Sequence, residues 1–237
     1  MQYVFLLAIS KYSDLFVFKG GTCLRICYDL ERASEDLDFS TLLDAKKIKK
    51  IAKECFKNFD LLNIDFEVFS EKEFKGNLRI EARFNGPLFN GSKSSTNTLK
   101  IDFNKSKTKN KEAKAIPKIF SDIPVFTIIA LSEKEILAEK IRALINRSQA
   151  RDLYDVWMLL QTNTEIDAKL LKQKLKEEKS NINKLRIPAK EAYEIELKNL
   201  LKNLPPYEQV KQQVEKKLKT ILKKNKKIKP IQTKAKH

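Results

Sequence analysis

Asp36 and Asp38 stand two apart in the stretch ASEDLDFS (33–40), where Leu37 and Phe39 suit a buried strand. Side chains alternate across a strand, so the two carboxylates fall on one face while Leu37 and Phe39 point into the core. Asp102 has a like place in LKIDF, on the polar face of its own strand beside Lys100. Three carboxylates gathered on one sheet face repel one another unless a cation sits among them, and magnesium, a hard divalent ion, takes oxygen ligands. Two such ions held by Asp36, Asp38 and Asp102 would activate an attacking hydroxyl and stabilise a leaving pyrophosphate, which is what nucleotidyl transfer requires.

Upstream, FKGGTCL reads as a strand turning directly into a helix. Gly20 and Gly21 carry no side chain to keep a phosphate away. Thr22 offers a hydroxyl at the helix start, where amide groups and the helix dipole favour anions. Taken alone, G-G-T reads as a plain turn. Followed by D-x-D on one strand and K-x-D on another, it gains weight as a phosphate cradle, and Lys100 joins it among the nucleotide-binding candidates.

Much other chemistry is excluded. The one histidine of 237 residues is the last, His237, which leaves no histidine triad, no His-rich zinc site and no internal imidazole base. Cys23, Cys27 and Cys55 suit a reducing compartment; Cys23 and Cys27 sit one helical turn apart, form no C-x-x-C pair and read as small buried hydrophobes. No run approaches the roughly 20 apolar residues of a membrane span. The apolar start YVFLLAI has no basic residues before it and reads as a first helix, not a signal peptide. A cytoplasmic protein with no membrane partner is expected.

The net charge of +17 is unevenly spread. Residues 211–237 hold 11 lysines against one acid, Glu215, and the segment NKSKTKNKEAKAIPK (104–118) holds six lysines against one glutamate. Such segments are either solvated faces or sites for a polyanion, whose phosphates bind by salt-sensitive counterion release. The nucleic-acid candidates are Lys105, Lys107 and Lys109 in the first segment and Lys216, Lys217, Lys223 and Lys224 in the second.

The elements that must position these residues alternate in the first half. LFVFKGG and DLDFS read as strands around a helix in TCLRICYDL, and residues 44–62 have helical periodicity through Ile48, Ile51, Ala52, Cys55, Phe56 and Phe59. Three strands follow at 63–70, 77–84 and 98–104. Leu78, Ile80, Ala82 and Phe84 face one way and Arg79, Glu81 and Arg83 the other, so the sheet has one apolar face, covered by helices, and one polar face. From about residue 126 the pattern is helical, with candidates at 132–147, 150–162, 166–180, 189–203 and 206–225. Their stripes, Tyr193–Leu197–Leu200–Leu204 and Tyr207–Val210–Val214–Leu218–Leu222, read as the core of a bundle. Residues after about 226 are expected to be disordered.

FKGGTCLRICYDLERASEDLDFS resembles the first motif of the AbiEii-type nucleotidyltransferases, toxins of abortive-infection, type IV toxin–antitoxin systems within the DNA polymerase beta-like superfamily. LKID is similar to that family's third-carboxylate strand, and EILAEKIRALINRSQARDLYDVWMLL (135–160) resembles its downstream motif of a lysine followed by R-D-x-x-D. The resemblance covers residues 15–160; together with the pattern of strands and stripes it gives an α+β fold, a nucleotidyltransferase-like mixed sheet with helices on one face (1–125), then an all-α helical bundle with a lysine-rich, partly disordered tail (126–237) that the resemblance does not cover. It implies Asp36, Asp38 and Asp102 as metal ligands and Gly20, Gly21 and Thr22 as the triphosphate cradle. Lys140 would contact phosphate or the metal-linked carboxylates, with Asp152 and Asp155, which share a helix face, completing the site. A structural ion pair between Lys140 and Asp152 is the plain alternative.

Three functions follow as expectations. The first is a magnesium-dependent transferase moving a nucleoside monophosphate from an NTP to RNA, the family suggesting the tRNA 3′ end, with a cognate antitoxin as partner. The second keeps the site and changes the acceptor to a protein hydroxyl. The third is a catalytically inactive nucleic-acid-binding relative.

Overall fold

Strict alternation decides which strand faces are buried. Leu78, Ile80, Ala82 and Phe84 are buried on one strand and Leu99, Ile101 and Phe103 on its neighbour, while Arg79, Glu81, Arg83, Lys100 and Asp102 on the opposite face keep contact with solvent. The computed structural model describes residues 1–86, 89–162 and 164–227, with side chains to residue 220. It divides into two compact units, Met1–Ile136 and Leu137–His237.

The first unit runs α1 (Gln2–Ser10), β1 (Val17–Lys19), α2 (Gly20–Cys27), β2 (Leu37–Thr41), α3 (Ala45–Asp60), β3 (Phe66–Phe74), β4 (Asn77–Phe84), β5 (Asn97–Lys105), β6 (Lys111–Ile116) and β7 (Phe126–Leu131). The seven strands form one mixed sheet in the order β3-β4-β5-β2-β1-β7-β6. β2 pairs with β5 and β1 with β7 in parallel; every other pairing is antiparallel. Helices α1 and α3 cover the apolar face through a cluster of rings: Phe5 lies 5.3 Å from Phe56 and 6.4 Å from Phe39, Phe59 lies 4.7 Å from Phe84, and Phe39 stacks on Phe103 at 5.5 Å. Asp44 caps α3 by accepting from the Lys47 amide.

Two strands lie where sequence periodicity places none. β6 forms inside the basic segment 104–118, at an edge of the sheet where lysines discourage further pairing. β7, FTIIAL, lies within the region whose pattern reads as helical from residue 126. A buried six-residue apolar run has no period that separates strand from helix, and pairing with β1 and β6 decides it.

In the second unit the described elements are helical: α4 (Glu133–Arg147), which starts just before the unit boundary, then α5 (Ala150–Gln161), α6 (Ala168–Glu177), α7 (Lys190–Leu197) and α8 (Tyr207–Lys227). The expected stripes are buried at Tyr193, Leu197, Tyr207, Val210, Val214 and Leu218. α7 ends at Leu197, short of the expected 203, on the approach to Pro205 and Pro206. Tyr193 and Tyr207 meet at 5.5 Å, their hydroxyls donating to the carbonyls of Pro205 and Pro188. The expected disordered tail after about 226 falls, beyond residue 227, outside the described residues. Among the described residues no helix is long and apolar enough to cross a membrane.

Candidate active site

Pairing in the sheet brings two of the three aspartates side by side. Asp38 on β2 is the register partner of Asp102 on parallel β5, and the neighbours Leu37, Phe39, Ile101 and Phe103 are buried, so both carboxylates stand on the polar face. Asp36 lies just before β2, two residues from Asp38. Loss of hydration is the largest influence on Asp36 and raises its pKa; Lys100 pulls it down, and the Asp102 carboxylate pushes it up. Asp36, Asp102 and Lys100 therefore share one electrostatic neighbourhood, and strand register adds Asp38 beside Asp102.

Asp102 is held from its other side. Arg79, its register partner on β4, donates Nε–H to Oδ1 and Nη2–H to Oδ2, each at 2.8 Å. Lys100 faces Glu81 in the same ladder, so β4 and β5 carry opposite charges at successive positions.

The glycine turn packs closely against side chains of this chain. Gly20 has φ +81°, a conformation that favours glycine, and a Cβ there would fall on the Asp38 carboxylate. A Cβ at Gly21 would lie 2.6 Å from Arg32 Nη2 and 2.8 Å from Ser34 Oγ. The missing side chains thus admit this chain's own carboxylate and guanidinium. Thr22 is fully buried, and its hydroxyl donates to the Asp36 carbonyl and lies 3.0 Å from Ser34 Oγ. It ties the start of α2 to the segment leading into the aspartates. The N-cap residue of α2, Lys19, makes no side-chain cap bond, and the helix begins with Gly20, Gly21 and Thr22.

The donor chemistry fits a hard cation: Asp38 and Asp102 offer adjacent carboxylates, and Asp36 feels the charge of Asp102. The set is not closed. Among the described residues no group of three or more His, Cys, Asp and Glu side chains is drawn together to hold an ion, and both Asp102 oxygens accept from Arg79.

The second unit gathers the downstream motif into a buried charge network. Lys140 Nζ lies 2.7 Å from Asp155 Oδ2 and 3.5 Å from Asp152 Oδ1, and both aspartates are fully buried. Arg147 grips Asp152 with Nε–Oδ2 at 2.6 Å and Nη2–Oδ1 at 2.9 Å. An arginine in the last turn of α4 thus meets an aspartate in the first turn of α5. The Lys140–Asp152 ion pair named as the plain alternative is present, inside a larger set that shares Lys140 with Asp155.

The basic candidates are dispersed. β2 and β5 run parallel from Asp36 and Lys100 towards Thr41 and Lys105, so Lys105 stands three residues beyond Asp102, about 10 Å along the strand and away from Asp36. Lys107 and Lys109 are exposed in the connection that follows, which buried Glu135 fastens by accepting from the Asn110 amide at 2.8 Å. Lys216 and Lys217 project from α8 beside its buried Val214 and Leu218. Lys223 and Lys224 have side chains outside the described residues.

Sequence reasoning passes over Arg32, Arg79 and Arg147. The alternation of β4 puts Arg79 on the polar face in plain view, and only the strand register names its partner.

The fold is shared with solved structures. MenT4, a nucleotidyltransferase toxin from Mycobacterium tuberculosis H37Rv, superposes with a TM-score of 0.69 at 20% identity, over 93% of this chain and 81% of that one. JHP933 from Helicobacter pylori superposes with a TM-score of 0.58 at 20% identity, over 95% of this chain and 90% of that one. A comparison with curated proteins finds no match. The sequence profile described as "Nucleotidyl transferase AbiEii toxin, Type IV TA system" matches residues 4–232, nearly the whole chain, and the chain belongs to the AbiEii family of nucleotidyltransferase toxins.

Proposed function

We propose that this nucleotidyltransferase is magnesium-dependent and transfers a nucleoside monophosphate from an NTP to RNA, at the 3′ end of tRNA. The observation that carries the reading is the pairing of Asp38 with Asp102 across parallel strands on the polar face, where the Asp102 charge also acts on Asp36. Asp36, Asp38 and Asp102 would hold the metal, one ion or two; when bound, it would offset their repulsion and polarise the α-phosphate. The first turn of α2 and Lys100 would receive the triphosphate. An acceptor hydroxyl forms the new bond to the α-phosphorus, the bond to pyrophosphate breaks, and a carboxylate of the polar face takes the hydroxyl proton.

Lys140, Asp152 and Asp155 belong to the same reading as parts of the family motif, carried by a helical bundle domain that follows the α/β domain; β7 assigns residues 126–131 to the sheet. The exposed Lys216 and Lys217 favour an RNA acceptor over a protein one. A cognate antitoxin is the expected partner. The three free cysteines suit the cytoplasm.

The test is incubation with each α-labelled NTP, magnesium and total RNA. Label should enter RNA and be lost in Asp36→Asn and Asp38→Asn. Unlabelled RNA, or labelling unchanged by both substitutions, overturns the reading; label in nuclease-resistant protein replaces the acceptor.

A further inference from the structure

We propose that Arg79 and a divalent cation compete for Asp102, so that Arg79 sets the cation concentration at which the carboxylate site closes. The inference rests on the reading of Asp36, Asp38 and Asp102 as cation ligands. Asp102 lies between two register partners: Arg79 on antiparallel β4 and Asp38 on parallel β2. Towards β4 both of its oxygens are occupied, each 2.8 Å from a guanidinium nitrogen. A planar fork matched to a carboxylate is the strongest form of this pairing, and strand register builds it in.

An ion shared by Asp38 and Asp102 needs at least one Asp102 oxygen, and both oxygens already share their charge with Arg79. The exchange has room to happen: the Arg79 side chain is 49% exposed, whereas that of Asp102 is 22% exposed. Arg79 thus occupies in the cation-free protein the charge-balancing place that the metal takes in the loaded one. It is a positioning residue acting through Asp102.

Arg83 supplies the control. It lies on the same face of β4, faces Thr98 in register, and rests over the Phe69 ring at 3.9 Å. It contributes the same charge to the same strand face about 13 Å further along, without holding Asp102.

Binding of Mn²⁺ to the full chain, read by calorimetry or by the spectrum of free Mn²⁺, tests the proposal. Arg79→Gln should bind about five- to tenfold more tightly than the unaltered protein, the scale of one well-formed surface pair. Arg79→Lys should fall between them, and Arg83→Gln should bind as the unaltered protein does. Titration with Mg²⁺ should shift the Arg79 Nε–H resonance. Equal affinity in Arg79→Gln and the unaltered protein, or an equal gain in Arg83→Gln, overturns the competition. Binding by neither the unaltered protein nor Arg79→Gln overturns the cation reading together with it.

Discussion

The carboxylate of Asp38 stands where a side chain at residue 20 would begin, with its own Cβ 3.0 Å from the Cβ that Gly20 lacks. Gly20→Ala therefore meets two obstacles, the positive φ and the collision, and the second displaces a candidate ligand. Gly91 separates them: its φ is +89°, and a Cβ there meets nothing within 4 Å. Gly91→Ala should cost about 1 kcal/mol, the lower end of left-handed backbone strain. Gly20→Ala should cost distinctly more by urea unfolding and should abolish nucleotidyl transfer. Equal stability costs with transfer retained would show that Asp38 does not depend on the missing side chain.

How far the sequence announces this arrangement depends on whether a feature is local or made by register. The alternation in 77–84 identifies β4 to the residue because each neighbour pair reports on burial. The D-x-D spacing likewise puts both carboxylates on one side. The place of β6 and β7 is not legible, since a short strand is selected by what it pairs with. The Arg79 and Arg32 contacts are of the same kind: strand register and a loop's return to the glycine turn choose their partners, and neither leaves a spacing in the chain. Lys140, Asp152 and Asp155 are legible as a group because i and i+3 share a helix face, while Arg147 enters through the turn between two helices.

The packing of α3 has a chemical readout. Burial pushes the Cys55 thiol up to about 12, and Cys23, also buried, is raised well above the usual thiol range by the same cause. Only the thiolate reacts with an aromatic disulfide reagent. The native protein should therefore show one fast thiol, half-buried Cys27, at pH 8, with Cys55 gaining about tenfold in rate per pH unit until pH approaches 12. Cys27→Ser should remove the fast phase. Two or three fast thiols at pH 8 would mean that the face of α3 or α2 is open.

The Lys140 network distinguishes structural support from chemistry. Lys140 Nζ sits 2.7 Å from a fully buried Asp155 carboxylate, so Lys140→Met removes a close charge partner of a group that water does not reach. Breaking one side of a buried pair costs about 3–5 kcal/mol, whereas replacing both sides by apolar groups is often neutral. Lys140→Met should lower urea stability by that amount, and Lys140→Met/Asp155→Leu should recover most of it. If Lys140 also touches substrate, the double variant will fold yet fail to label RNA. Recovery of stability together with labelling would make the cluster purely structural.

The two basic segments make separable contributions to polyanion binding. Lys216 and Lys217 extend from a helix whose apolar side is buried, so replacing both with glutamine leaves the packing of Val214 and Leu218 intact. Removing one lysine–phosphate pairing should reduce the slope of log K against log salt by about 0.7 on single-stranded RNA and 0.9 on a duplex. If both lysines pair with phosphate, the slope of the double variant falls by about 1.4 to 1.8. Lys105 and Lys107 lie at the far end of the strands from Asp36, so their replacement should alter affinity and salt slope without changing turnover of bound RNA. A turnover defect in Lys105→Gln/Lys107→Gln at saturating RNA would place the reacting end of the RNA at that strand end, not beside Asp36.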